Sequence, residues 1–164
     1  MKKAARLSFL AAALLGTAWH FLYTALPCSL TALLAPVNES VWEHLKLLYF
    51  PPLLVAVVLS FLWRLSQRRF WSGALAGLML MPLALIAAYY TLTAGFGVEG
   101  RPAIDIPLYF AVLALGWYVA GQLMRSGSAK RLLGVLVIAA GVFGAALVVF
   151  TIAAPPLPIF ISQV

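Results

Sequence analysis

Leu132-Leu-Gly-Val-Leu-Val-Ile-Ala-Ala-Gly-Val-Phe-Gly-Ala-Ala-Leu-Val-Val-Phe150 contains no charged residue. At 1.5 Å per residue, a helix of this length nearly covers the ~30 Å hydrocarbon core of a bilayer. Working outward, charges and helix breakers mark off four more apolar stretches, at roughly 104–124, 70–94, 42–63 and 7–27. The pattern predicts an all-α polytopic membrane bundle of five transmembrane helices, formed by residues 1–164 as one domain. Composition agrees: 65% of residues are hydrophobic and 9% charged, against about a quarter charged in a soluble domain. That excludes a soluble enzyme.

Cations orient the bundle. Lys2, Lys3 and Arg6 precede the first stretch, Arg64, Arg68 and Arg69 follow the second, and Arg125, Lys130 and Arg131 follow the fourth. In a five-span arrangement all of these fall on one side, which the positive-inside bias makes cytoplasmic. The N-terminus is therefore expected inside and the C-terminus outside. The net charge of +7 belongs to these loops and does not point to nucleic acid. Pro27 beside Cys28, after Ala25 and Leu26, makes a poor cleavage site, so the first stretch reads as a retained helix rather than a signal peptide. Cys28 is the only cysteine, which excludes an internal disulfide and a cysteine-only metal site.

The groups capable of chemistry collect at the other side. Glu39, Glu43, Glu99 and Asp105 all fall at outer ends of stretches or in outer loops, with His44, Lys46 and Arg101. His20 lies about 21 Å along the first helix from Arg6, in the outer third of the core. The dense segment is Ala35 to Lys46 (APVNESVWEHLK). Ser40 and Glu43 match a capping box, a purely structural role. On a helix starting here, Glu39, Glu43 and Lys46 share one face, and Ser40 and His44 the next. Trp19 and Trp42 suit the interfacial aromatic belt.

An intramembrane His faces a bundle interior or a watery cavity. His20 reads either as a neutral ring bonded to Tyr23 or a carbonyl, or as a ligand or proton carrier. In the second reading His20, Asn38, Glu39, Glu43, His44 and Asp105 are the ligand or proton-binding candidates, with Tyr23, Trp42, Lys46 and Tyr90 in support. His20, Glu39, Glu43 and His44 would make a divalent metal site, although their spacing matches no established zinc signature. His20, Glu39 and Glu43 are expected to converge on one outer pocket, with Asp105 contributing from the fourth helix. Lys46 would neutralise the acids or snorkel to the headgroups, and snorkelling is favoured. Small residues at Gly73/Gly77, Gly116/Ala120 and Ala140/Gly144 allow close helix approach, inside one bundle or between two copies. Pro51 and Pro52 predict a kink in the second helix.

His20, Phe21 and Tyr23, followed by Val37 to Pro51 (VNESVWEHLKLLYFP), resemble an uncharacterised family of small bacterial multi-pass membrane proteins. Its members carry an HF-Y element, a VNES-WEHLKL-FFP block and an Asp early in a later span, here Asp105. Tyr49 departs from the family's Phe. The resemblance implies a bacterial cytoplasmic membrane location and, the family being of unknown function, leaves the activity open.

The functional expectation is an outward-facing polar pocket binding a cation, metal or small solute, in a binding or transport role. Five spans without a repeat would then need a second copy or a partner subunit. The alternatives are a membrane-embedded enzyme acting on a lipid or prenyl substrate, and a ligand-free scaffold or assembly factor.

Overall fold

A computed structural model describes residues 2–62, 66–98 and 101–162, and among these it contains helices and turns with no strand. Arg64, used above for orientation, and Glu99, placed above among the outer acids, lie outside the described residues. The long helices are α1 (Lys2–His20), α4 (Val41–Leu62), α5 (Gln67–Tyr90), α6 (Pro102–Ser126) and α7 (Leu133–Ile152), with the short α2 (Leu22–Ala25) and α3 (Ser29–Leu34) between α1 and α4. Four stretches are helical, long and apolar enough to cross a membrane: Val41–Leu62, Gln67–Gly95, Pro102–Ser126 and Ser128–Ile152.

The first apolar stretch is not one continuous helix to residue 27. The helix ends at His20 with a tightened turn, in which the Phe21 N–H bonds the Ala18 carbonyl at 3.2 Å. That break leaves His20 at a helix end, free to face a neighbour.

Glycines bring α5 and α6 into the most extensive helix contact in the bundle. A Cβ on Gly77 would stand 2.5 Å from the Gly116 carbonyl oxygen, and one on Gly73 would stand 2.8 Å from that of Ala120. The Gly73/Gly77 and Gly116/Ala120 steps are thus spent within the chain, letting backbones touch where lipid offers no hydrophobic force. Gly144 likewise admits the ring of Tyr49, whose hydroxyl donates to the Ala140 carbonyl at 2.7 Å. Helix α4 continues through the buried Pro51 and Pro52.

The core lies where α4, α5, α6 and α7 meet, around Leu45, Leu48, Leu78, Met81, Leu113 and Leu147. The proline-broken tail turns back on it. Phe160 sits 4.9 Å from the ring of Trp42, which also meets Phe150 and Phe143 edge-on. Trp42 is therefore a core residue and not a member of an interfacial belt, because the returning tail covers it.

Candidate functional site

The segment from Ala35 to Ser40 is built by local hydrogen bonds. Ser40 caps α4, its Oγ accepting the Glu43 N–H at 3.3 Å. The reciprocal half of the expected capping box does not form. The Ser40 N–H instead donates to Asn38 Oδ1 at 2.9 Å, as in an Asx turn. Asn38 is thereby a turn residue, exposed and outside the polar cluster described next. Because α4 starts at Val41, Glu39 sits in the turn before it. It therefore does not share a helix face with Glu43 and Lys46.

That displacement sends the two glutamates to different places. Glu39 reaches across to His20 at the end of α1 and to His44 in the first turns of α4. Its Oε2 lies 3.2 Å from His44 Nε2, and its Oε1 lies 3.8 Å from His20 Nε2. The imidazole rings stack with centroids 5.3 Å apart. One donor atom from each of the three residues lies within 4.8 Å of the others. The histidines are about 30% exposed and Glu39 half exposed, so the cluster lies open at the protein's surface.

Glu43 turns inward. Its carboxylate is 3% exposed and the Lys46 side chain is fully buried, with Nζ 2.6 Å from Oε2. The Val37 N–H donates to Oε2 and the Thr151 hydroxyl to Oε1, each at 3.0 Å. The ammonium also donates to the carbonyls of Ala32 at 2.9 Å and Ala35 at 3.1 Å. An ammonium has three protons, and all three are used. Lys46 therefore does not snorkel, because the carbonyls of Ala32 and Ala35 at the C-terminal end of α3 and the Glu43 carboxylate receive it inside the protein. Glu43 does not join the His20 cluster for the same reason. The pair ties the α3–α4 connection to α7 and is satisfied throughout, as a buried charge must be.

In the open cluster, His44 Nδ1 lies 2.9 Å from the Ser40 carbonyl oxygen. A carbonyl can only accept, so Nδ1 carries the proton and Nε2 turns its other face to Glu39. A neutral His44 would aim a lone pair at a carboxylate, which is repulsive until a cation stands there. The chemistry available is thus cation binding, by a proton on Nε2 or by a metal shared with His20 and Glu39. Asp105 lies half-buried in the first turn of α6 and is not among the three residues whose donor atoms come together. His20 Nδ1 is buried and has no hydrogen-bond partner among the described residues. This makes His20 the less firmly oriented of the two rings.

A family model described as a family of unknown function, DUF6512, matches residues 1–164. The chain belongs to this family. No curated protein and no solved structure matches it.

In this DUF6512 member the remaining supporting candidates are not among the three residues whose donor atoms come together. Tyr23 is half-buried in α2, and Tyr90 closes α5 with its ring edge-on to Tyr89. Several contributors to the Glu43–Lys46 pair were missing from the sequence reading, the Val37 N–H among them. Thr151 is a single hydroxyl in the most apolar helix, and nothing in that helix marks it as a partner of a residue 108 positions away. The Ala32 and Ala35 carbonyls are backbone groups that no side-chain pattern reveals. Tyr49, the departure from the family's Phe, spends its hydroxyl on Ala140 and lies away from the cluster.

Proposed function

We propose that this protein is a five-span bacterial cytoplasmic-membrane protein, N-terminus in and C-terminus out, that binds a divalent cation of the zinc class at its outer end. His20, Glu39 and His44 are the ligands, and Asp105 is the neighbouring carboxylate. One observation carries the reading. His44 is oriented through Nδ1 by the Ser40 carbonyl while Nε2 faces the Glu39 carboxylate, as when a backbone acceptor fixes the tautomer of a ligating His. Metal–ligand bonds of about 2.0–2.2 Å in a tetrahedral site separate the donors by about 3.3 Å. The 3.2 Å contact of His44 with one Glu39 oxygen is close to that separation, while the 3.8 Å contact of His20 with the other oxygen is wider and would have to close on the ion. Three protein ligands leave a coordination position for water or a solute, which suits an outward-facing binding or transport role.

The test is metal analysis of untagged protein in mild detergent, loaded with Zn²⁺ and then dialysed. About one equivalent is expected to remain and to raise the unfolding midpoint. Glu39→Gln and His44→Gln should each abolish retention. Glu43→Gln should retain metal while losing stability, since Glu43 serves Lys46. No retained metal in the wild type, together with no stabilisation by Zn²⁺, Co²⁺ or Mn²⁺, would refute the proposal.

A further inference from the structure

At the opposite end of the bundle a cavity of ≈ 90 Å³ opens between α4, α5 and α6, floored by Ser8 of α1. Its walls are apolar, among them Ala56, Ala74, Leu78 and Trp117. The Trp117 indole N–H donates to Ser8 Oγ at 3.1 Å, so these two polar groups satisfy each other and offer little to water. Apolar cavities stay dry. Met81 and Met124 add pliant walls.

The cavity's depth and its mouth indicate what would fill it. Along α6 it runs from Arg125 to Trp117, about 12 Å at 1.5 Å per residue, and along α5 from Phe70 to Met81, about 16 Å. Half of a ~30 Å hydrocarbon core is about 15 Å, the depth of one leaflet. At the mouth the Arg125 guanidinium folds back over Gly121, its two terminal nitrogens 3.7 and 3.9 Å from where a Cβ would stand. Arg69 and Lys130 flank the nearby Gly127. None of the chain's four acids lies in stretches 63–70 or 121–133, so these cations have no carboxylate of their own chain beside them in sequence.

We propose that one acyl chain of an anionic phospholipid from the leaflet at the Arg125 end lies along this open cleft, part of it filling the cavity and the rest facing lipid, with the lipid phosphate on Arg125. A guanidinium matches phosphate in geometry and charge, and the apolar slot takes the hydrocarbon beneath it. The site rests on the membrane reading above but not on the metal cluster, which lies at the other end of the bundle.

The test is native mass spectrometry of detergent-purified protein titrated with dioleoyl phosphatidylglycerol and with dioleoyl phosphatidylcholine. The anionic lipid is expected to bind at least fivefold tighter, since a near-surface cation contributes about a factor of five. Arg125→Gln should remove that preference. Arg131→Gln, an exposed cation at the same end that does not line the cavity, should leave it unchanged. Ala74→Trp, or Ala56→Phe from the facing helix, should reduce binding of both lipids with helix content unchanged. Equal affinity for the two lipids, equal losses in the two arginine variants, or unchanged binding in both cavity-filling variants would each overturn the site. So would oleate competing as well as the phospholipid, or a wild-type dimer that Ala74→Trp converts to monomer without change in lipid binding.

Discussion

Lys46→Met removes the most completely enclosed cation of the described chain. Three hydrogen bonds disappear with it: the 2.6 Å contact to Glu43, and those to the Ala32 and Ala35 carbonyls at 2.9 and 3.1 Å. The Glu43 carboxylate, 3% exposed, keeps the Val37 N–H and the Thr151 hydroxyl but loses its counter-charge. Removing one partner of a buried pair costs about 3–5 kcal/mol, most of it the uncompensated charge left behind. Glu43→Gln should fall in the same range, because it strands the ammonium. The double variant, Glu43→Gln with Lys46→Met, leaves no charge to strand and should lose under about 2 kcal/mol. The coupling between the sites is therefore expected to be at least about 4 kcal/mol, above the usual range for residues in contact. Lys46→Arg keeps the charge but places a planar fork where three acceptors converge on one nitrogen, and should cost about 1–3 kcal/mol as overpacking. Reversible unfolding in mixed micelles of mild detergent and dodecyl sulfate measures all four variants. Losses below about 1 kcal/mol in both single variants, or a double variant as unstable as their sum, would refute the buried-pair account.

Other consequences are simpler to measure. Gly116→Ala puts a Cβ 2.9 Å from the Gly77 carbonyl and closer still to the Met81 side chain, and should destabilise by about 1–3 kcal/mol in the same micelle assay. Gly141→Ala, with nothing within 4 Å of the new methyl, should be neutral or better. Tyr49→Phe restores the residue usual in the resembling family and should cost about 1 kcal/mol, the worth of its bond to Ala140. Cys28 is exposed and is the only cysteine. An impermeant maleimide should label it in intact cells if the N-terminus is inside, while Arg131→Cys in a Cys28→Ser background should label only after lysis. The opposite pattern would reverse the orientation.

Much of the architecture could be read from composition because a chain this apolar has few ways to fold if it lies in a bilayer. Every backbone polar group must be satisfied internally, so long apolar runs become helices, and the runs at 42–63, 70–94, 104–124 and 132–153 did so with small shifts at their ends. The Gly73/Gly77 and Gly116/Ala120 steps were visible as contact surfaces, but their partner was not. Small residues permit close approach without naming the helix that approaches, and here the partners are α5 and α6 of one chain. Trp42 illustrates the opposite limit. An aromatic at the end of an apolar run suits the interface belt and the core equally, and the choice was made by a tail whose return depends on proline-set turns far along the chain.

The site divides along the same line. His20, Glu39 and His44 were among the named candidates and are brought together, whereas Glu43 and Lys46 were named beside them and are taken elsewhere. Periodicity treated Glu39 and Glu43 as one face because they are four residues apart. That inference holds only on a helix already formed at residue 39. Ser40 decides otherwise. With its N–H held by Asn38 and its hydroxyl capping Glu43, the helix starts at Val41 and Glu39 is left in the turn, free to swing toward α1. Each glutamate then meets a different cation requirement. Glu43 faces a lysine that cannot leave, so its charge is permanently matched. Glu39 faces two imidazoles whose charge depends on what they bind, and one of them is already oriented through its far nitrogen. A carboxylate whose counter-charge is conditional is where an exchangeable cation can act, and one with a fixed ammonium is where it cannot. That distinction, set by one serine at the helix start, makes Glu39 rather than Glu43 the acid on which binding should depend.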